Sequence, residues 1–254
     1  MDRNIVSCAL DIGERMLRTG GEVSRVEDTI QRILTSYGYV SVDVFTITSQ
    51  IQVTAVDADG QVEHQFRRVY QWGTDLDELE RLNQLSRDIC AEKPEPEQLK
   101  KRIRELRENK PKQPGWVAYL GAVMAASGFC VFFGGSAVDA LGTAVLACAI
   151  TYMNHRSHTR SENKLGYYFF YSVVTGIIGY VMSKEGIHSG IDLDLDKMLI
   201  GCIMLTIPGI SLTYAVRDML LGETITGLLR FIDSLLIAAS IAFGYMLISL
   251  LFGG

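Results

Sequence analysis

Charge is scarce over much of this 254-residue chain. Residues 115–254 hold only 7 of the 24 Lys+Arg and 9 of the 29 Asp+Glu. That scarcity is a membrane composition; residues 1–114, with the rest of the charge, have a soluble one. Net charge is −5 with no basic cluster, which excludes a nucleic-acid partner. The five cysteines, Cys8, Cys90, Cys130, Cys148 and Cys202, form no CxxC pair, so a disulfide framework is excluded. Three of them lie in apolar segments, and they read as reduced and buried. The opening MDRNIVSCALDIGERMLRTG lacks the apolar core of a signal peptide, so the first part is expected to stay in the cytoplasm. There is no nucleophile motif, phosphate-binding glycine loop or metal-ligand spacing. No cofactor and no metal are expected. His64, His155, His158 and His188 are scattered, and the His155/His158 pair in a polar loop is a weak metal signal.

Five long apolar runs are present, at about 116–133, 135–153, 165–182, 198–215 and 228–252. Each is close to the ~20 residues a membrane span needs. The loop at 154–164 carries Arg156, Arg160 and Lys164. The loop at 183–197 carries Glu185, Asp192, Asp194 and Asp196 against two lysines. Arg217 and Arg230 flank the loop before the last run. Positive loops mark the cytoplasmic side. The expected arrangement therefore has the N-terminus inside, the acidic loop outside and the C-terminus outside. The small-residue runs GAVMAASG, GTAVLACA and GIIG suit close helix packing in lipid.

The first 114 residues read as an α+β domain. An apolar stripe at Ile5, Cys8, Ala9, Ile12 and Met16 predicts a helix over 3–19, and another at Val23, Val26, Ile30, Ile33 and Tyr37 predicts one over 23–37. The β-branched runs YVSVDVFTIT, IQVTAVDA and QVEHQFRRV predict three strands, with DADG (57–60) as a hairpin turn. Helices over 75–91 and 95–109 follow. Pro111 and Pro114 then form a linker to Trp116 at the membrane surface. The expected fold class is thus a membrane protein, with an N-terminal cytoplasmic α+β domain (1–114) before a five-helix transmembrane bundle (115–254).

Two stretches stand out. In GGEVSRVEDTIQR (20–32), Glu22, Arg25, Thr29 and Arg32 fall near one helical face, and Glu27 and Asp28 are expected to point elsewhere. With Gly21 they form a motif that reads either as an acid/base pair with an arginine clamp or as a solvated helix start. In MLTIPGISLTYAVRDM (204–219), Pro208-Gly209 interrupts an apolar run. Proline removes a backbone donor, and glycine loosens the backbone. A helix broken inside lipid presents unpaired dipoles, which transporters use to bind substrate; a plain kink is the alternative. Arg217 is either a carboxylate clamp or a positive-inside anchor beside Asp218. Asp139 is either a protonatable intramembrane group or an interfacial residue. Gly222 and Gly227 are expected to shape the turn into the last span.

The runs TGGEVSRVEDTIQRI (19–33) and YVSVDVFTITSQIQVTA (39–55) resemble the N-terminal domain of the threonine/serine exporter family. LTIPGISLTYAVRDMLLGETITGLLR (205–230) is similar to that family's membrane signature. The resemblance implies a secondary transporter with no catalytic residues, exporting threonine, serine or a small dicarboxylate such as succinate across the cell membrane. It implies that Pro208, Gly209, Arg217, Asp218, Gly222 and Arg230 bind or gate substrate. It also implies the larger component of a split form, working with a small all-membrane partner subunit or as a homo-oligomer. An ion gradient, most simply of protons, would drive it. Asp233, inside the last span about one turn after Arg230, departs from the family pattern and is either a second candidate proton site beside Asp139 or a member of a local ion pair. A membrane-anchored hydrolase, needing Glu22, Arg25 and Glu27 to converge, and a tethered sensor are the competing readings.

Overall fold

The first nine residues of α1 (Asn4–Arg18) show how its packing is set: Ile5, Val6, Cys8, Ala9, Leu10 and Ile12 all turn to the core. The computed structural model describes residues 4–70, 73–109, 114–157, 163–188 and 190–252. His158, Arg160 and Pro111 lie outside the described residues. Helix α1 ends in a Schellman motif. Gly20 N–H donates to Leu17 O at 3.3 Å and Gly21 N–H to Met16 O at 2.7 Å. Gly20 has φ +95°, a conformation side chains resist, and a Cβ on Gly21 would lie 2.7 Å from the Met16 carbonyl oxygen.

Helix α2 (Val23–Ser36) returns across α1 and buries Val23, Val26, Ile30 and Ile33. Three antiparallel strands follow in the order β1 (Ser41–Ile47), β2 (Gln50–Val56) and β3 (Val62–Arg68). In β2, Ile51, Val53 and Ala55 are buried and the residues between them are not, so one sheet face meets the helices. The DADG turn is held by Asp57, whose Oδ1 accepts from Asp59 and Gln61 N–H, both at 2.9 Å. Helix α3 (Leu76–Glu92), capped by Asp75, and α4 (Pro96–Glu108) add Leu82, Ile89 and Leu99 to the same core.

The apolar helices are α5 (Gly115–Phe132), α6 (Ala137–Ser157), α7 (Lys164–His188), α8 (Leu195–Thr206), α9 (Gly209–Leu220) and α10 (Thr224–Phe252). Among the described residues, four are individually long and apolar enough to cross a membrane, and α8 with α9 forms a fifth candidate bent by 51°. The fourth run is therefore two helices, broken where Pro208 stands. By internal packing the chain forms two units. One comprises Met1–Pro111 with Thr213–Phe231, the other Lys112–Leu212 with Ile232–Gly254.

In the second unit small residues set the contacts. A Cβ on Gly201 of α8 would lie 2.6 Å from the Ala126 carbonyl of α5 and 2.8 Å from Thr143 of α6. Gly244 of α10 faces Ser172 and Phe169 of α7 at similar range, and Thr175 and Tyr245 hydroxyls meet at 3.0 Å. Polar side chains bond back to their own helices, as Thr143 does to Asp139 O at 2.8 Å and Thr175 to Tyr171 O at 2.9 Å. In lipid this satisfies groups that water cannot reach. Cys148, expected to be buried, is exposed on α6.

Gly201→Ala should lower the thermal midpoint of the detergent-solubilised chain, by the equivalent of about 1–3 kcal/mol for overpacking. Gly128→Ala, where an added Cβ meets nothing within 4 Å, should leave it equal or slightly higher.

Candidate functional site

The N-terminal motif and the membrane motif meet inside the first unit. Helix α9 ends in a second Schellman motif: Gly222 has φ +95°, its N–H donates to Met219 O at 3.2 Å, and Glu223 N–H donates to Asp218 O at 2.9 Å. The chain reverses into α10, and Gly227 lets the two helices close up. A Cβ there would lie 2.7 Å from the Ala215 carbonyl and 2.5 Å from Met219 Cγ. This hairpin sets Arg230 opposite Asp218.

Arg230 Nη1 lies 3.2 Å from Asp218 Oδ2, with side-chain exposures of 7% and 3%. Arg230 Nη2 also donates to the Gly21 carbonyl at 2.9 Å. Asp218 Oδ2 is buried and makes no hydrogen bond, so the contact with Arg230 is one of charge alone. Arg217, the neighbour of Asp218, turns the other way and pairs with Glu22. The adjacent opposite charges at 217 and 218 thus serve two different partners rather than each other.

Glu22 precedes α2 as its N-cap residue without bonding it through the side chain; Arg25 Nη2 stands 3.9 Å away. Glu27 points elsewhere, as expected, and its Oε1 accepts from Thr46 N–H at 2.7 Å. Burial pushes its carboxyl above the ordinary 4.5, the Thr46 N–H opposes this, and Glu223 adds to the rise. Asp28 corrects the sequence reading. It lies on the groove side with Glu22, Arg25, Thr29 and Arg32, bonded to Arg32 Nε at 2.9 Å, because an i,i+4 pair must share a face.

That groove, about 970 Å³, runs between α2 and α3. Its α3 wall supplies Glu80, Asn83, Ser86 and Arg87, and Tyr214 of α9 also lines it. None of these was singled out from the sequence; on α3 they look like an ordinary charged helix face. Glu27 is not among the lining residues.

In the second unit, Asp139 closes a capping box at the start of α6. Its Oδ2 accepts from Ser136 N–H and O–H, both at 2.7 Å, and Ser136 Oγ accepts from Asp139 N–H at 3.2 Å. Its Oδ1 accepts from Asp194 N–H at 2.8 Å. Both oxygens are engaged, which gives Asp139 a structural task. Asp233 is half-buried on α10 and forms no hydrogen bond or ion pair among the described residues. At the break, Gly209 N–H donates to Ile207 O at 2.8 Å, and Thr206 Oγ1 bonds back to Cys202 and Ile203 carbonyls. A Cβ on Gly209 would meet nothing within 4 Å. Of the histidines, His64 sits on β3 against Thr54 at 2.9 Å, and His155 and His188 lie at the ends of α6 and α7.

Several helices of spanning length and apolarity define a multi-pass membrane protein. The family model of the threonine/serine exporters, ThrE, matches residues 7–252, and the chain belongs to that family. It is 25% identical to a probable threonine/serine exporter of Mycobacterium tuberculosis over 96% of this chain and 46% of that protein. It is also 25% identical to the threonine/serine exporter of Corynebacterium glutamicum over 94% of this chain and 50% of that one. The chain spans about half the length of these relatives. No solved structure matches.

Two outcomes are expected. Arg230→Met alone should cost about 3–5 kcal/mol by leaving Asp218 buried and unpaired, while Asp218→Leu with Arg230→Met should cost much less than the two singles combined. Arg217→Gln, at a half-exposed pair, should cost under about 1 kcal/mol. Urea midpoints in detergent read all four. A carboxyl raised on folding favours its protonated form, so its ionisation costs stability above the folded pKa and nothing below the ordinary 4.5. Glu27→Gln should therefore raise the thermal midpoint at pH 7–8, with the gain vanishing near pH 4.

Proposed function

We propose that this chain is the larger component of a secondary exporter of small hydroxy amino acids, driven by a proton gradient. The observation that carries the reading is the convergence of the two family motifs on one ion-pair cluster, Glu22–Arg217 and Asp218–Arg230–Gly21. Charges as buried as Asp218 and Arg230 are retained where they specify an arrangement or move with a transported species. In this reading the cluster is a gate at the cytoplasmic mouth, and Pro208-Gly209 is the substrate-adjacent break.

The loop charges support an N-terminus inside and a C-terminus outside, with the α+β unit in the cytoplasm. The surroundings of the break support a partner. Ile207 and Ile210 are 44% and 50% exposed in this chain, and backbone freed by a break does not face lipid. A small all-membrane partner of the same family, or a second copy, would cover it and complete the pathway. Asp233, half-buried without a partner group, is the better proton candidate; the carboxylate of Asp139 is already fully occupied. The hydrolase reading needs Glu27 beside Glu22 and Arg25, and Glu27 is turned to Thr46. A dicarboxylate such as succinate is the alternative cargo.

The test is efflux from proteoliposomes loaded with labelled threonine, serine or succinate, with an imposed pH gradient, with and without the small partner. Gradient-dependent threonine efflux requiring both chains is expected. Pro208→Ala/Arg217→Ala should reduce it at least about tenfold, the scale of losing a charge-assisted contact. Full efflux by that variant removes the gate assignment.

A further inference from the structure

The groove between α2 and α3 is lined by charge of both signs. Arg25, Arg32 and Arg87 are matched by Glu22, Asp28 and Glu80. Its volume, about 970 Å³, is at the upper end of what small-molecule sites use. Not all of this charge is spent within the protein. Arg32 is taken by Asp28 at 2.9 Å, and Glu22 is held by Arg217. Arg25 stands 3.9 Å from Glu22, beyond hydrogen-bonding range, so its guanidinium fork keeps donors to spare. Glu80, on the facing helix, makes no hydrogen bond or ion pair among the described residues.

A third group points to a ligand. Thr29 is only 7% exposed and lines the groove, yet its hydroxyl has no hydrogen-bond partner among the described residues. A helical threonine ordinarily bonds back one turn, as Thr143, Thr151 and Thr175 do here. The Thr29 oxygen is not closed off from the groove, so it is open to bond a polar atom of a ligand that enters.

We infer that the α2–α3 groove receives a zwitterionic amino acid, with Arg25 taking the carboxylate, Glu80 the ammonium group and Thr29 a polar atom of the ligand. The arginine fork suits a carboxylate, and a carboxylate suits an ammonium group. The same walls disfavour a dicarboxylate. Its second carboxylate would face Glu22, Asp28 and Glu80, and like charges brought together select against a ligand; Arg87, whose Nη2 donates to Gln84 Oε1, is the lining cation that is not set against an acid. This deepens the export reading and rests on it for the choice of threonine as probe. The groove would collect the cargo, or report its level, on the α+β unit itself.

The experiment is calorimetric titration of the purified full-length chain in detergent with L-threonine, threonine methyl ester, N-acetyl-threonine and succinate. Saturable threonine binding is expected. The ester, which lacks the carboxylate, and the N-acetyl derivative, which lacks the ammonium group, should each bind at least about tenfold more weakly. Arg25→Gln and Glu80→Gln should each weaken threonine by a similar factor. Thr29→Val, equal in shape without the hydroxyl, should weaken it several-fold. Lys101→Gln, on exposed α4, should change nothing. Succinate should not displace threonine. Absence of threonine binding, displacement by succinate, or binding indifferent to both Arg25→Gln and Glu80→Gln would overturn the assignment. Unchanged thermal midpoints separate lost binding from lost folding. Efflux measured on the same preparations keeps the two ideas apart: groove binding without efflux sinks the export reading alone, and efflux without groove binding sinks the groove alone.

Discussion

Arg230 is a guanidinium with nowhere to go. It sits on the second turn of α10 with 7% of its side chain exposed, and a charge so removed from water must be matched by fixed partners. Asp218 supplies the charge and Gly21 the carbonyl. Those two demands organise much of the first unit. They turn Asp218 inward, which sends Arg217 outward to Glu22, and they hold the Gly20-Gly21 turn against the α9–α10 hairpin. The glycines follow. Gly222 takes the left-handed backbone that reverses the chain, Gly227 admits α9 at backbone contact, and Gly21 leaves room beside Met16. Such a pair contributes little net stability, because desolvation offsets attraction; what it secures is one arrangement in preference to others.

A different constraint governs the second unit. In lipid there is no hydrophobic force between helices, so close approach and internal satisfaction of polar groups do the work. Gly201, Gly176 and Gly244 supply the approach, and Thr143, Thr151, Ser172 and Thr175 bond back to their own helices. Pro208 is where this discipline is suspended. The 51° bend and the exposed residues around it mark the one place in the described spans where the backbone leaves its own ladder.

Glu22 joins the charged cluster to the groove. It holds Arg217 of α9 and, just before the start of α2, stands 3.9 Å from Arg25 in the first turn of that helix. Glu22 lines the groove and is itself a member of the Glu22–Arg217 pair that the gate reading relies on.

Much of this could be read along the chain. Apolar stripes, β-branched alternation and the DADG turn placed the helices and strands of the first unit within a residue or two, because local periodicity reports which face is buried. Pro208 announced its break, because a missing N–H acts on its own turn. The recognised motifs also contained the residues of the two ion pairs and the turns that hold them, from Gly21 and Glu22 to Arg217, Asp218, Gly222 and Arg230. Other features needed the tertiary structure. Nothing local says that Arg217 and Asp218 choose separate partners 195 and 12 residues away, or that Arg230 reaches Gly21 across 209. Asp139 carried the pattern of an intramembrane acid; one of its oxygens closes a local capping box with Ser136, and the fold brings the Asp194 N–H, just before α8, to the other. Glu80 and Thr29 acquire their meaning only from the groove between their helices. Sequence sets what each segment must bury; which charges meet is decided by packing, because a buried charge is satisfied by whatever the fold brings to it.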